Sequence, residues 1–143
     1  MSKIVILGGG ESGVGAALLA QSKGFEVFLS DSGSLKEEYQ QILQKNQIDF
    51  EHSKHSVDNI LTAQEIIISP GIPEKAEIVK AIKAANISLI SEIEFAARYT
   101  KAQLIAITGS NGKTTTTLLT YHLLKEAGLK VGLAGNIGKS FAK

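Results

Sequence analysis

Ile4-Val5-Ile6-Leu7-Gly8-Gly9-Gly10-Glu11-Ser12-Gly13 decides the fold. The run Ile4–Leu7 is apolar at every position, as a strand is when both faces of its sheet are covered. Glycines 8, 10 and 13 then fit G-x-G-x-x-G where a strand gives way to a helix. In that layout backbone amides and a helix N-terminus come close to a phosphate. Asp31 ends the next strand, where a carboxylate can accept hydrogen bonds from a ribose or base. The motif points to a nucleotide or diphosphate without naming it, and a dinucleotide is the ordinary first guess. The alternative is a tight strand-to-helix turn with no ligand.

Outward from this stretch, short apolar runs alternate with helical spacings. Strands are expected at 4–7, 27–30, 48–50, 66–69, 87–90, 104–108 and 131–134, and helices at 13–23, 92–99 and 113–127. Leu35, Tyr39, Ile42 and Leu43 share one helical face, and Ile78, Val79, Ile82 and Ala85 another. Such alternation makes βαβ units, so the fold class is α/β: a Rossmann-like parallel sheet with flanking helices. Five strands with their helices fill residues 1–97. Residues 98–143 hold only strand, loop, helix and strand, too little to bury a core alone. They are expected to be the truncated start of a second domain.

Composition narrows the function classes. The chain has 143 residues, 43% hydrophobic and 20% charged, with a net charge of +1. Neither sign of charge dominates, so nothing suggests nucleic acid. With no cysteine there is no disulfide, thiol catalysis or cysteine-ligated metal. No apolar run approaches the length of a membrane span, and 4–7 is too short for a signal-peptide core. A cytoplasmic protein is expected.

The second glycine loop is more specific. Leu104-Ile105-Ala106-Ile107 leads into Thr108-Gly109-Ser110-Asn111-Gly112-Lys113-Thr114, followed by a helix. This is the layout of a phosphate-binding loop. Amides from Gly109, Ser110, Asn111, Gly112, Lys113 and Thr114 would surround a β-phosphate, with Thr115 in the same turn. Lys113 would neutralise the β- and γ-phosphates of ATP, and the Thr114 hydroxyl would hold Mg2+. A lysine at a helix's first turn meets like charge unless an anion lies between. The usual G-x-x-x-x-G-K-T would need glycine at 107, where Ile107 stands.

The variant T-G-[ST]-N-G-K-[ST] resembles the loop of Mur ligases and folylpolyglutamate synthases. Four stretches carry a resemblance to the D-glutamate-adding Mur ligases: Gly8–Gly13, Ser69-Pro70-Gly71-Ile72-Pro73, Thr108–Thr114 and Gly135-Asn136-Ile137-Gly138. The resemblance spans essentially the whole chain. It implies that the first domain holds the uridine diphosphate of a sugar substrate and that the second begins a P-loop ATPase domain. Gly10, Glu11, Ser12 and Gly13 would then meet the diphosphate. Asp31 and Ser32 would lie beside the uracil, and Ser69, Gly71 and Ile72 would line the uridine pocket. Asn136 would contact the substrate near its reacting end. Gly33 stands where some relatives carry a basic residue.

The resemblance further implies an ATP-dependent ligase of peptidoglycan precursor synthesis. ATP phosphorylates the carboxylate of UDP-N-acetylmuramoyl-L-alanine, D-glutamate's amine attacks the acyl phosphate, and phosphate leaves. Lys113 and Thr114 are its catalytic residues within this chain. The remaining magnesium carboxylate, a histidine, a modified lysine and the amino-acid-binding domain would lie beyond Lys143. The fragment is thus expected to bind UDP-substrate, to lack ligase activity alone, and to be a monomer.

Other functions fit less of the chain. A nicotinamide-dinucleotide-binding oxidoreductase would leave 108–114 without a role. A simple P-loop kinase or ATPase would leave the whole first domain without one. A regulatory nucleotide-binding domain and an alanine-adding Mur ligase are the further alternatives. His52 and His55 form H-x-x-H in a polar stretch without further ligands, so an exposed loop is expected there. Glu37-Glu38 and Glu92/Glu94 are expected to be solvated helix faces. Leu118, Leu119, Leu123 and Leu124 are expected in a core, and His122 to be structural or solvated.

Overall fold

Alternation along the first strand, β1 (Lys3–Leu7), sorts the interior into two cores. Ile4 and Ile6 face one side and Val5 and Leu7 the other, all essentially inaccessible to solvent. The first side is covered by α1 (Glu11–Ser22), α2 (Glu37–Lys45) and α5 (Glu92–Ala97), through Val14, Ala17, Leu43 and Phe95. The second is covered by α3 (Val57–Ile60) and α4 (Glu77–Ala84), through Ile60, Ile78, Val79 and Ile82. Each helix turns an apolar stripe to the sheet, and burial of those stripes drives the layering.

The computed structural model describes residues 2–135 and 140–142. Its sheet has five strands in the order β3-β2-β1-β4-β5. These are β1, β2 (Glu26–Ser30), β3 (Asp49–Glu51), β4 (Glu65–Ile68) and β5 (Ser88–Ser91). All pairings are parallel, with Leu7 level with Ser30 on one side and Ile68 on the other. The chain steps outward from β1 to β3, then crosses to β4 and β5. The reversal puts a crevice at the C-terminal edge between β1 and β4, where open α/β sheets bind ligands.

The α/β class and the five strands of residues 1–97 therefore stand, with β3, β4 and β5 each displaced by one residue from expectation. The expected strands at 104–108 and 131–134 do not form; among the described residues no strand follows Ser91. A strand persists only with a ladder partner and a covered face, and Leu104 and Ile105 have neither, being exposed. The helix α6 (Lys113–Glu126) does form, because its hydrogen bonds are internal. With no sheet beneath it, Leu118, Leu119 and Leu123 are exposed and Leu124 half-buried, so these leucines are not core here.

Candidate functional site

Three loops meet at the crevice. The loop after β1 is tied to β2 by the Gly8 amide, which donates to the Ser30 carbonyl at 2.9 Å. The loop after β4 is tied to β1 by the Ser69 amide, which donates to the Leu7 carbonyl at 2.9 Å. The Ser69 hydroxyl reaches the Gly8 carbonyl at 3.5 Å.

Two glycines are demanded by this packing. Gly8 has φ +97°, and a Cβ there would lie 2.7 Å from Cβ and Oγ of Ser69. A Cβ on Gly13 would lie 1.8 Å from the Gly8 carbonyl oxygen, so α1 can approach β1 only through glycine. Gly10, by contrast, has nothing within 4 Å of a built Cβ and is exposed. It caps α1 without a side-chain cap bond, and Val14 N–H donates to its carbonyl at 3.0 Å. The closed side of the loop thus faces protein, and the open side presents the first turn of α1, with Glu11 and Ser12 half-buried.

Asp31 braces this loop from β2. Its Oδ2 accepts from the Gly9 amide at 2.5 Å and its Oδ1 from the Gly33 amide at 2.7 Å. Its own backbone is clamped to β3: Asp31 N–H donates to the Glu51 carbonyl at 3.1 Å and Lys54 N–H to the Asp31 carbonyl at 3.3 Å. Ser32 beside it is exposed. Across the crevice Gly71 is exposed and Ile72 half-buried, its Cδ1 3.6 Å from a Cβ built on Gly8. The fold therefore gathers Gly10–Gly13, Asp31, Ser32, Ser69 and Ile72 around one edge. Asn136 lies outside the described residues.

Below Asp31 sits a polar cluster that the sequence did not reveal. Ser30 is fully buried, and its hydroxyl is 2.7 Å from Glu51 Oε1 and 2.7 Å from His55 Nδ1. A carboxylate only accepts, so the Ser30 proton goes to Glu51 and His55 Nδ1–H donates to Ser30. Glu51 also accepts from the Ser56 amide at 2.7 Å and the Ser56 hydroxyl at 2.6 Å. Burial pushes the Glu51 carboxyl up, but the Ser56 and Ser30 hydrogen bonds and the Lys54 charge outweigh it and hold it below its ordinary range. His52 is exposed and stacks on Phe50, whereas His55 is half-buried in this cluster. Among the described residues no group of three or more His, Cys, Asp or Glu is placed to hold a metal.

The second glycine loop opens α6. Gly112 caps it in the left-handed region, φ +74°, without a side-chain cap bond, and Thr116 N–H donates to its carbonyl at 2.9 Å. Lys113 Nζ turns back over the loop, donating to the carbonyl of Gly109 and, at 3.3 Å, to that of Ser110. Ser110, Asn111, Thr114 and Thr115 are exposed. An ammonium held at the mouth of a glycine turn, beside first-turn amides without a side-chain cap, is an arrangement that suits an anion such as a phosphate.

Comparison with known proteins follows the same division. A family model described as the MurD N-terminal domain matches residues 3–78, more than half of the chain. The chain belongs to the MurD family. A second model, the Mur ligase middle domain, matches residues 107–142. The UDP-N-acetylmuramoylalanine--D-glutamate ligase of Cytophaga hutchinsonii is 59% identical over 99% of this chain and 32% of that protein. The ligase of the same name from Bacteroides thetaiotaomicron is 57% identical over 99% and 32%. The chain thus spans about a third of the length of the curated relatives it matches. Among solved structures, UDP-N-acetylmuramate-alanine ligase from Thermotoga maritima aligns with a TM-score of 0.61 at 26% identity, covering 90% of this chain and 30% of that one. The MurD match accounts for residues outside the G-x-G-x-x-G turn, which alone would fit any dinucleotide fold. No helix among the described residues is long and apolar enough to cross a membrane.

Proposed function

We propose that the full-length protein joins D-glutamate to UDP-N-acetylmuramoyl-L-alanine at the expense of ATP, and that this chain supplies its UDP-binding domain (1–97) and the start of its ATP-binding domain (98–143). The observation that carries this is the crevice between β1 and β4, where the open face of Gly10–Gly13 stands beside Asp31, Ser69 and Ile72. A diphosphate fits that open face: the first-turn amides of α1 bind it, and the packed glycines keep side chains out of its way. Asp31 and Ser32 take the uracil side, Ser69, Gly71 and Ile72 the uridine wall, and Asn136 the reacting end.

The chemistry asks two anions to meet, a carboxylate and a γ-phosphate. Amides of Gly109–Thr115 and the Lys113 ammonium would orient the triphosphate and draw off its charge. Thr114 would hold Mg2+, which when bound neutralises phosphate oxygens. The carboxylate oxygen forms a bond to phosphorus as ADP leaves. The amine of D-glutamate then forms the amide bond, and inorganic phosphate departs with the oxygen it gained. We further propose a cytoplasmic, monomeric enzyme with no nucleic-acid or membrane partner. A coupled phosphate-release assay on the full-length protein tests the function: turnover that requires UDP-N-acetylmuramoyl-L-alanine, D-glutamate and ATP together supports it. ATP hydrolysis indifferent to the other two, or acceptance of L-alanine in place of D-glutamate, would overturn it.

A further inference from the structure

Glu51 ends β3, an edge strand of the sheet, so the loop after it could stand in water. Instead that loop folds back over the end of β2. Asp31 N–H donates to the Glu51 carbonyl at 3.1 Å, Lys54 N–H to the Asp31 carbonyl at 3.3 Å and Ser53 N–H to the Gly33 carbonyl at 2.8 Å. These bonds hold the turn Asp31–Gly33, from which the Asp31 carboxylate reaches the glycine loop. The fold-back needs Ser53 at φ +62°. A residue other than glycine keeps that left-handed conformation only where its surroundings hold it there.

The Glu51 side chain supplies the hold. It is only 9% exposed, although it sits on an edge strand. Its Oε1 accepts from the Ser56 amide and the Ser30 hydroxyl, each at 2.7 Å, and its Oε2 from the Ser56 hydroxyl at 2.6 Å. Ser30 in turn lies 2.7 Å from His55 Nδ1. One carboxylate therefore joins the far end of the loop, His55 and Ser56, to the residue just before Asp31. Bonds to an ionised acceptor are the strong ones. Lys54 Nζ, 3.9 Å away on a largely exposed side chain, adds little.

We propose that Glu51 is a positioning residue for base recognition: it folds residues 52–56 into a clasp over Asp31–Gly33, and the clasp aims the Asp31 carboxylate at the base. This rests on the uracil side assigned to Asp31 under the proposed function. A carboxylate only accepts hydrogen bonds. At ring position N3 uracil offers a hydrogen and cytosine a lone pair. An aimed carboxylate therefore prefers uracil, and a slack one discriminates less.

The test titrates this chain, as wild type, Glu51→Gln and Ser56→Ala, with UDP and separately with CDP. The wild type prefers UDP. Glu51→Gln weakens UDP binding roughly tenfold, as expected for slackening a bond to a charged acceptor, and leaves CDP within about twofold. Ser56→Ala, which keeps the carboxylate, shows a smaller effect of the same sign. Glu51→Gln also costs overall stability, so hydrogen exchange gives a second readout. The Ser53 and Lys54 amides should quicken about tenfold more than the amide of Ile67, buried in β4. Equal weakening of UDP and CDP, unchanged UDP binding, or one common factor for all three amides overturns the proposal. A wild type that binds UDP and CDP equally overturns it as well. A wild type that binds neither overturns the proposed function instead, and the amide rates still decide whether Glu51 holds the clasp. Should CDP give no heat with the wild type, the preference is complete and the ratio of amide rates decides between positioning and stability. Should Glu51→Gln not fold, Ser56→Ala carries both readouts.

Discussion

Asp31 Oδ2 accepts a hydrogen bond from the Gly9 amide at 2.5 Å, so the acid that ends β2 holds the glycine loop that follows β1. Its other oxygen is held by Gly33. A carboxylate has about four lone-pair sites, so these two bonds leave room for a ligand donor. The residue shapes the loop before it can meet a uracil. Asp31→Ala should therefore weaken UDP binding by roughly tenfold or more, since a bond to a charged acceptor is worth about 1.5–3 kcal/mol. It should also speed hydrogen exchange at Gly9, which a role in ligand contact alone would leave unchanged. Asp31→Asn should retain part of both. Calorimetry and exchange mass spectrometry check this.

The two faces of the loop should respond oppositely to an added methyl group. Gly13→Ala forces a Cβ to within 1.8 Å of the Gly8 carbonyl, against backbone that cannot step aside. A loss of about 3 kcal/mol of stability is expected, the upper end for overpacking. Gly10→Ala places its methyl in open space at φ −73°, and should cost no more than about 1 kcal/mol, the loss of a favoured helix-capping residue. If the open face is the diphosphate site, Gly10→Ala nevertheless weakens UDP binding. Urea denaturation and a UDP titration on the same two variants separate stability from binding.

Glu51 makes stability depend on acid. Its folded pKa lies below the unfolded value, so the carboxylate contributes stability above the unfolded pKa of about 4.3. That contribution is lost as pH falls through the folded pKa, because the proton must displace bonds from Ser56 and Ser30. Glu51→Gln should therefore cost more stability at pH 7 than at pH 3.5. Denaturant midpoints at the two pH values check this; an equal loss at both would show that the charge contributes nothing.

Lys113 is exposed, and among the described residues its hydrogen bonds go only to carbonyls of its own loop. Lys113→Met should leave the melting temperature of this chain unchanged. In the full-length enzyme it should lower kcat on the order of 10²–10³, the range for removing one preorganised charge-stabilising donor. Steady-state kinetics with thermal melts check both halves.

Ile4–Leu7 and the glycines after it were legible because their pattern is local: an apolar run buried on two faces, then residues that only a tight strand-to-helix turn needs. The glycine loops were legible for the same reason. What stayed hidden depended on residues far apart in sequence. His55 looked like half of an idle H-x-x-H until the fold set it against Ser30, 25 positions away. Glu92 looked like a solvated helix-start acid until Ser140 and Ala142 closed over it. The runs at 104–108 and 131–134 had strand composition, but composition cannot supply the ladder partner a strand needs. The leucines of α6 stay uncovered for want of the same sheet.

The most direct measurement is calorimetric titration of this chain with UDP-N-acetylmuramoyl-L-alanine and, separately, with NADH. Saturable one-to-one binding of the UDP-substrate is expected, reproduced in part by UDP alone and weakened in Gly10→Ala and Asp31→Ala, with no heat from NADH. Binding of NADH with none of the UDP-substrate would assign the crevice to a nicotinamide cofactor and contradict the account.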